Sequence, residues 1–160
     1  MPGLASRRRS LTRPNFSRSA NVFAELNLYS AIIWSGLDQQ ELGKRRESTE
    51  DGYRIDEETA GGYLEPYTAV AVGMGHDRVD PYSVLVFVHA DQEAAAANAV
   101  TLRRKLDTGT RLSNGQPWSD YISRSEIVAD GTLVYARIWT STPLLMLDAY
   151  YDFESIFLTH

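Results

Sequence analysis

The sequence predicts an α+β domain built on one antiparallel sheet, with two helices on one face of that sheet. Three observations predict this class: an apolar run of strand length from Tyr82 to His89, an alanine-rich helical run directly after it, and an Asp130-Gly131 pair between two further strand-like runs. Taken in order, residues 80–160 read strand, helix, strand, tight turn, strand, helix, strand. This βαββαβ order is the ferredoxin-like one.

The first strands and the first helix carry separate local signals. Side chains from Tyr67 to Val72 alternate between two faces, which predicts an additional strand. The run from Tyr82 to His89 is apolar on both faces, which is typical of a central, covered strand. Asp91 is placed to cap the helix that follows. We expect this helix to end near Leu106, because Gly109 stands just beyond it.

Turn and cap chemistry predicts the remaining elements. Tyr121 to Val128 and Thr132 to Trp139 are predicted strands, and the Asp-Gly pair between them is a hairpin signal, since both residues tolerate the positive φ of a type I′ turn. Thr142-Pro143 is predicted to open a short helix, and Phe153 to Thr159 to form the closing strand. The additional strand and the closing strand would both pair with the central strand from Tyr82 to His89 at the same position. We therefore expect the additional strand at an edge of the sheet, or a changed strand order.

Charge divides the chain into three parts. Residues 1–20 contain five of the 16 Lys+Arg and none of the 21 Asp+Glu, which leaves 11 against 21 in the remainder. We interpret residues 1–20 as a disordered basic arm. Residues 21–62 are interpreted as a helix from Asn21 to Trp34 followed by a polar linker, and residues 63–160 as the α+β domain. An organelle transit peptide is the alternative for the arm, because such peptides are also arginine-rich and acid-poor.

Composition also excludes several classes of function. The acidic body predicts no nucleic-acid partner, because phosphate binding needs a basic surface. No apolar run approaches the ~20 residues of a membrane-spanning helix. The arginines near the start are not followed by the apolar stretch of an export signal, so the sequence contains no complete signal of that kind.

Groups for catalysis or metal binding are few. The chain has no Cys, which excludes disulfides, thiolate nucleophiles and Cys-ligated metals. Its three histidines, His76, His89 and His160, do not stand at ligand spacing, and no nucleophile or phosphate-loop motif is present. We therefore expect no catalytic residue set, no metal and no cofactor.

Four residues are candidates for contact with a ligand: Trp118, Tyr121, His89 and His76. Trp118 and Tyr121 belong to a long loop between helix and strand, where aromatic side chains can form a binding edge. The alternative for Trp118 is a plug that folds back over the end of the sheet. His76 lies in a glycine-rich loop beside Asp77, and His89 ends the central strand, where a structural histidine is the alternative.

Six segments in the second half of the chain together carry a family resemblance. They are Tyr67–Gly73, Val84–Asp91, Leu102-Arg103-Arg104, Gly115 with Pro117-Trp118-Ser119, Asp130-Gly131 with Leu133, and Tyr150–His160. In these segments, residues 63–160 are similar to the C-terminal portion of an uncharacterised family of secreted or lipoprotein-like bacterial proteins. The resemblance implies an extracytoplasmic domain associated with the cell envelope; it implies no reaction and no site residues.

Three functions stay open at the level of sequence. The first is a soluble, non-catalytic binding module for a protein or a small ligand. The second is a small ferredoxin-like enzyme that acts on an organic substrate in a pocket between helices and sheet. The third is an assembly subunit that docks through its N-terminal arm and the helix from Asn21 to Trp34. A fold of this kind hosts many activities, so the fold does not decide among them.

Overall fold

A computed structural model describes residues 28–35 (backbone only), 60–77, 80–142, 144–151, 155–157 and 159. The α+β class is confirmed. The strands are β1 (Leu28–Ser35), β2 (Ala69–Asp77), β3 (Asp80–Val88), β4 (Ile122–Asp130) and β5 (Leu133–Thr140), and the helices are α1 (Gln92–Thr108) and α2 (Leu145–Tyr151). Short 3₁₀ helices span Trp118–Asp120 and Ser155–Phe157.

The five strands form one sheet in the order β1-β2-β3-β5-β4, and every neighbouring pair is antiparallel. Since β3 and β4 both run antiparallel to β5, they are parallel to each other, with β5 inserted between them. The connection from β3 to β4 passes through α1. β3 lies at the centre of the sheet, and its residues from Tyr82 to Val88 are buried on both faces, as the sequence predicts.

Both helices pack on one face of the sheet. The core cluster on this face contains Ala95, Ala99, Leu102 and Leu106 of α1 together with Leu145, Met146 and Ala149 of α2. Their sheet partners alternate along the strands, as side chains of one face must. These partners are Val70, Val72, Leu85, Phe87, Ile127, Val134, Ala136 and Ile138.

The predicted N-terminal helix is wrong where the structure describes it. Residues Leu28–Ser35 form strand β1, which pairs with β2 from Leu28 opposite Gly75 to Ser35 opposite Ala69. The spacing of Tyr29 and Ile33 suggested a helix, but aromatic and β-branched residues favour a strand, and pairing with β2 decides the outcome. The earlier part of that prediction, residues 21–27, lies outside the described residues.

The predicted closing strand is also wrong in its described part. Ser155–Phe157 is a 3₁₀ helix, and Thr159 forms an isolated parallel bridge to Leu64. The position beside β3 that a closing strand would take is occupied by β2 along its whole length, from Asp77 opposite Asp80 to Ala69 opposite Val88. The βαββαβ order is therefore not completed among the described residues, and the additional strand lies inside the sheet between β1 and β3.

Two local predictions change in detail. The additional strand continues to Asp77, so Gly73-Met74-Gly75 belongs to a strand and not to a loop. Gly75 makes room for the ring of Tyr82, because a Cβ there would lie 2.8 Å from the ring. The β4–β5 hairpin is confirmed, but its two loop residues are Gly131-Thr132, flanked by the pair Asp130 and Leu133. Gly131 has φ 57°, the positive value needed at the first loop position.

Candidate functional site

The four residues predicted to contact a ligand do not lie together. His76 is opposite Pro81 at the start of β3, whereas His89 follows the end of that strand. The stretch from Pro81 to His89 spans about 26 Å at ~3.3 Å per residue. Tyr121 precedes β4 at the same end of the sheet as His76, because Ile122 pairs with Thr140. His89 therefore lies at the opposite end of the sheet from His76 and Tyr121.

Trp118 is a buried residue of the core, with none of its surface exposed. Its Nε1 donates to Oγ of Ser155 (2.9 Å), and that hydroxyl donates to the carbonyl of Thr110 (2.5 Å). The guanidinium of Arg111 lies 5.5 Å from the Trp118 ring and 5.1 Å from the ring of Tyr121. The structure thus joins Trp118 and Tyr121 through Arg111, with Trp118 placed as a plug under the loop.

The hydroxyl of Tyr121 is held on the loop itself. It accepts from Nδ2 of Asn114 (2.9 Å) and donates to Oε1 of Gln116. The backbone N–H of Gln116 in turn donates to Oδ1 of Asn114 (3.1 Å). These bonds order the loop internally and leave the half-buried ring at the surface.

His89 belongs to a buried polar network at the opposite end of the sheet. Its Nε2 lies 2.6 Å from Nδ2 of Asn98, and its Nδ1 lies 3.4 Å from the carbonyl of Thr132. The amide of Asn98 is fixed by Glu65, whose N–H donates to Oδ1 (2.6 Å) and whose carbonyl accepts from Nδ2 (2.9 Å). Because Nδ2 of Asn98 is a donor, Nε2 of His89 accepts, and the ring proton resides on Nδ1.

Burial lowers the pKa of His89 below its ordinary value of 6.5, although the Thr132 carbonyl and the charge of Asp91 act in the opposite direction. The residue is only 2 % exposed. A depression of about 300 Å³ nearby is lined by Glu65, Asp91, Glu93, Ala94 and Ala97. His89 is not among its lining residues, so the neutral ring does not face this depression.

A second cluster lies on the sheet face away from the helices. Trp139 and Arg137 alternate with the core residue Ile138 along β5, so their side chains point to the opposite face. Arg124 and Glu126 of β4 are paired with them in the same register, Arg124 with Trp139 and Glu126 with Arg137. We call the arginine–aromatic layer the set of Asp77, Tyr82, Arg124, Glu126, Arg137 and Trp139.

The geometry of the layer is closely defined around Trp139. The guanidinium carbon of Arg124 lies 3.6 Å from the centroid of the Trp139 ring. Oδ2 of Asp77 accepts from Nη2 of Arg124 (3.3 Å) and from Nε1 of Trp139 (3.2 Å). The stacking of the Arg124 guanidinium on the indole ring is a cation–π contact. The single carboxylate of Asp77 holds both members of this stacked pair.

Arg137 forms the second half of the layer. Its guanidinium carbon lies 5.0 Å from the ring of Tyr82 and 5.7 Å from that of Trp139, and its Nη1 lies 3.8 Å from Oε2 of Glu126. Its Nε is buried and has no hydrogen-bond partner among the described residues. Two arginines and two acids make the layer neutral as a whole, with each guanidinium held between a ring and a carboxylate.

Exposure divides the layer into a base and an outer surface. Trp139 and Tyr82 are 3 % and 4 % exposed. The side chains of Arg124 and Glu126 are 55 % and 54 % exposed, and that of Arg137 is 33 % exposed. A partner would therefore meet the guanidinium groups and carboxylates, which rest on the buried rings.

Sequence reasoning missed this layer although a signal for it existed. Both strands were predicted, and Arg124 with Glu126, like Tyr135, Arg137 and Trp139, stands at alternate positions on them. Alternation places such residues on one face. What no local pattern shows is that the carboxylate of Asp77 reaches the same face from a different hairpin.

Within the residues described, no group of three or more His, Asp or Glu side chains is placed to hold a metal ion. Across the same described residues, no helix combines the length and the apolar character needed to cross a membrane. No family model, curated protein sequence or solved structure matches this chain.

Proposed function

We propose that this chain is a non-catalytic binding domain that docks a protein partner on the arginine–aromatic layer. The observation that carries the proposal is the stack of Arg124 on Trp139, in which Asp77 holds both groups. Arginine, tryptophan and tyrosine are the residues that contribute most to protein–protein binding energy. A guanidinium that is already oriented loses less side-chain freedom on binding, which favours association.

The neighbouring surface fits a protein better than a small ligand. Val128 is 41 % exposed on β4 and is paired with the half-buried Tyr135, on the same face as Arg137. An apolar residue beside exposed charged groups on a sheet face is the composition of an interface with a polar rim. The described cavity of about 300 Å³ lies elsewhere, beside the first turn of α1.

The enzyme alternative depended on His76 or His89 facing a pocket. His89 is buried, and both of its ring nitrogens lie near protein groups, Asn98 and Thr132. His76 is exposed at the β2–β3 hairpin, about 26 Å of strand away. This separation favours the binding function.

The assembly alternative depended on the helix from Asn21 to Trp34, and β1 replaces the last part of that helix.

The resemblance of residues 63–160 to secreted or lipoprotein-like bacterial proteins supports an extracytoplasmic setting for the binding domain. The strand order β3-β5-β4 with α1 as the connection supports a distant relation to ferredoxin-like domains.

Selection from a phage-displayed library of random peptides on the immobilised full chain tests this function. We expect enriched peptides whose affinity falls by at least about tenfold, equivalent to ~1.4 kcal/mol, for Val128→Asp and for Arg124→Gln. The matched control is Val100→Asp, since Val100 is a 65 % exposed valine on α1, remote from the layer.

Two outcomes would overturn the proposal. The first is a set of enriched peptides that bind Val128→Asp and Arg124→Gln as tightly as the original chain. The second is an equal loss of binding for Val100→Asp, which would place the contact surface on the helical side. Thermal unfolding of each variant shows whether a loss of binding is due to a loss of fold.

A further inference from the structure

β4 is the edge strand of the described sheet, and its outward backbone groups can be assigned. Asp130 and Leu133 flank a two-residue loop, so they form a hydrogen-bonded pair with each other. Backbone groups alternate along a strand, which turns those of Ser125, Ile127 and Ala129 away from β5. The carbonyl of Ile127 accepts from Arg103 of α1 (2.6 Å), which agrees with this assignment.

Arg103 covers only one of these outward positions. Ser125 is exposed, and none of the described strands pairs with its outer side. A backbone carbonyl has two acceptor sites, so Ile127 can keep its bond to Arg103 while it accepts a second donor. An added strand would therefore find open hydrogen-bonding positions at Ser125 and Ala129, on either side of Ile127.

The charges on either side of Ser125 are self-complementary. Arg124 precedes it and Glu126 follows it, and both side chains lie on the face of the arginine–aromatic layer. When a second copy of β4 runs antiparallel and is centred on Ser125, Arg124 of each copy stands opposite Glu126 of the other. These are non-hydrogen-bonded pairs, whose side chains approach most closely.

In this register, the rows of paired side chains in the arginine–aromatic layer of one copy continue into the layer of the second copy. In one chain Trp139 is paired with Arg124, and Arg137 is paired with Glu126. Across two copies each row becomes Trp139 and Arg124 of one chain, then Glu126 and Arg137 of the second. The three charged residues of the row alternate in sign. A register centred on Glu126 would instead place two Glu126 side chains opposite each other, and one centred on Ile127 would require both Arg103 side chains to share the central pair.

We infer that the β4 edge pairs with the β4 edge of a second copy of this chain, centred on Ser125, to form one continuous sheet. Charged residues on an edge strand usually prevent pairing. Here one register with an identical chain places each Arg124 opposite a Glu126, so that the charges attract each other and favour pairing. This interface lies at the edge of the sheet, and it does not depend on whether the face of the layer binds another protein.

Sedimentation equilibrium of the full chain over a range of concentrations is the first measurement. We expect a reversible dimer. Arg124→Glu and Glu126→Arg each convert two attractive pairs into two repulsive pairs, so each variant alone should dimerise at least about tenfold more weakly, which is ~1.4 kcal/mol. Asp107→Lys, a charge reversal at an exposed position on α1, should dimerise like the original chain.

Mixing the two variants is the decisive arm. In a mixed dimer the acid introduced by Arg124→Glu in one chain would face the base introduced by Glu126→Arg in the other. The unaltered Glu126 of the first chain would face the unaltered Arg124 of the second, so every pair is attractive again. The equimolar mixture should therefore form heterodimers with an affinity near that of the original homodimer. A mixture that stays monomeric would overturn the proposed register.

Ser125→Pro tests the backbone pairing without changing any charge. Proline removes the outward N–H of an edge strand and is tolerated at such positions, so this variant should remain folded by circular dichroism and be monomeric. A chain that is monomeric at all concentrations, or a dimer that Ser125→Pro and both charge reversals leave unchanged, would overturn the inference. Of the two variants used in the peptide selection, Arg124→Gln also changes the proposed dimer pairs, whereas Val128→Asp does not. The peptide binding of Val128→Asp therefore reports on the layer alone, and the two proposals can fail independently.

Discussion

His89 shows how burial sets the protonation of a single residue. Asn98 offers a donor to Nε2, so the neutral ring with its proton on Nδ1 fits the network, and a charged ring would bring two donors together. Burial, the main cause, lowers the pKa of His89 in the folded chain below the ordinary 6.5. In the unfolded chain the ring is solvated and keeps that ordinary value.

This difference predicts a pH dependence of stability. Between the lowered pKa and 6.5 the unfolded chain binds more protons than the folded chain, so the free energy of unfolding decreases as the pH falls. The contribution of His89 is complete above pH 6.5 and is lost progressively below it. We expect His89→Gln to remove this part of the slope, measured as the difference between urea unfolding of variant and original chain across a series of pH values. Parallel curves for the two proteins below pH 6.5 would contradict the prediction.

Lys105 is a residue whose role could not be predicted from the sequence. Arg103, Arg104 and Lys105 read as three cations in the last turn of a helix, where they suit its dipole. In the structure Arg104 donates to the carbonyl of Gly61, and Lys105 is fully buried, donating to the carbonyls of Ala60 (3.3 Å) and Ser155 (2.6 Å). Both acceptors of Lys105 are more than forty positions away in the chain, and local pattern contains no information about them.

Helix α1 is the element that local chemistry determines most fully. Oδ1 of Asp91 accepts from the N–H of Ala94 (2.9 Å), and the N–H of Gly109 donates to the carbonyl of Lys105 (3.0 Å). Its buried apolar residues, Ala95, Ala99, Leu102 and Leu106, are those that helical spacing predicts, and the buried polar residues Asn98 and Lys105 lie beside them. Start, end and face of this helix could therefore be predicted from residues within it or next to it.

The cap of α1 permits a matched test. Asp91→Ala removes the acceptor of the Ala94 N–H and should lower the free energy of unfolding by about 0.5–2 kcal/mol. Asp107→Ala removes an exposed acid from the other end of the same helix, where a negative charge is unfavourable, so it should leave the stability unchanged or raise it slightly. Chemical denaturation of both variants measures the difference, and equal destabilisation by the two changes would contradict a capping role for Asp91.

Strands were less predictable than this helix because pairing decides them. The spacing of Tyr29 and Ile33 predicts a helix, and only the register of Leu28–Ser35 with β2 defines this segment as strand β1. Phe153 to Thr159 has the composition of a strand, but β2 already occupies the place beside β3, so Ser155–Phe157 forms a 3₁₀ helix. The hairpin of β4 and β5 was predicted because its signal, the Asp-Gly pair, is local.

The arginine–aromatic layer and the burial of Trp118 both depend on contacts between residues that are far apart in the sequence. The sequence predicted the two strands that carry Arg124, Arg137 and Trp139, but the neighbour that fixes their geometry, Asp77, comes from another hairpin 62 positions away from Trp139. From the sequence, Trp118 is either a binding residue or a plug over the end of the sheet. Its Nε1 finds Ser155, 37 positions further along the chain, and this distant contact accounts for its burial.

Ser155 connects distant parts of the described structure. Its hydroxyl links the Trp118 indole to the carbonyl of Thr110, and its carbonyl accepts from Lys105. The two residues that follow, Ile156 and Phe157, are 0 % and 1 % exposed in the core cluster that contains α1 and α2. Although it is not a strand, this segment closes the helix-covered side of the sheet.

A pair of deletions tests this role against the predicted basic arm. Removing residues 155–160 would leave the indole of Trp118 and the amine of Lys105 without these acceptors and would uncover apolar core, each of which costs on the order of 1–3 kcal/mol. We expect this deletion to abolish cooperative thermal unfolding, with a red shift of tryptophan fluorescence. Removing residues 1–20, the predicted arm, should leave the melting temperature unchanged. If the chain without residues 155–160 melts cooperatively within about 2–4 °C of the original, the shift would amount to only ~1 kcal/mol, and Ser155 would not hold the core together.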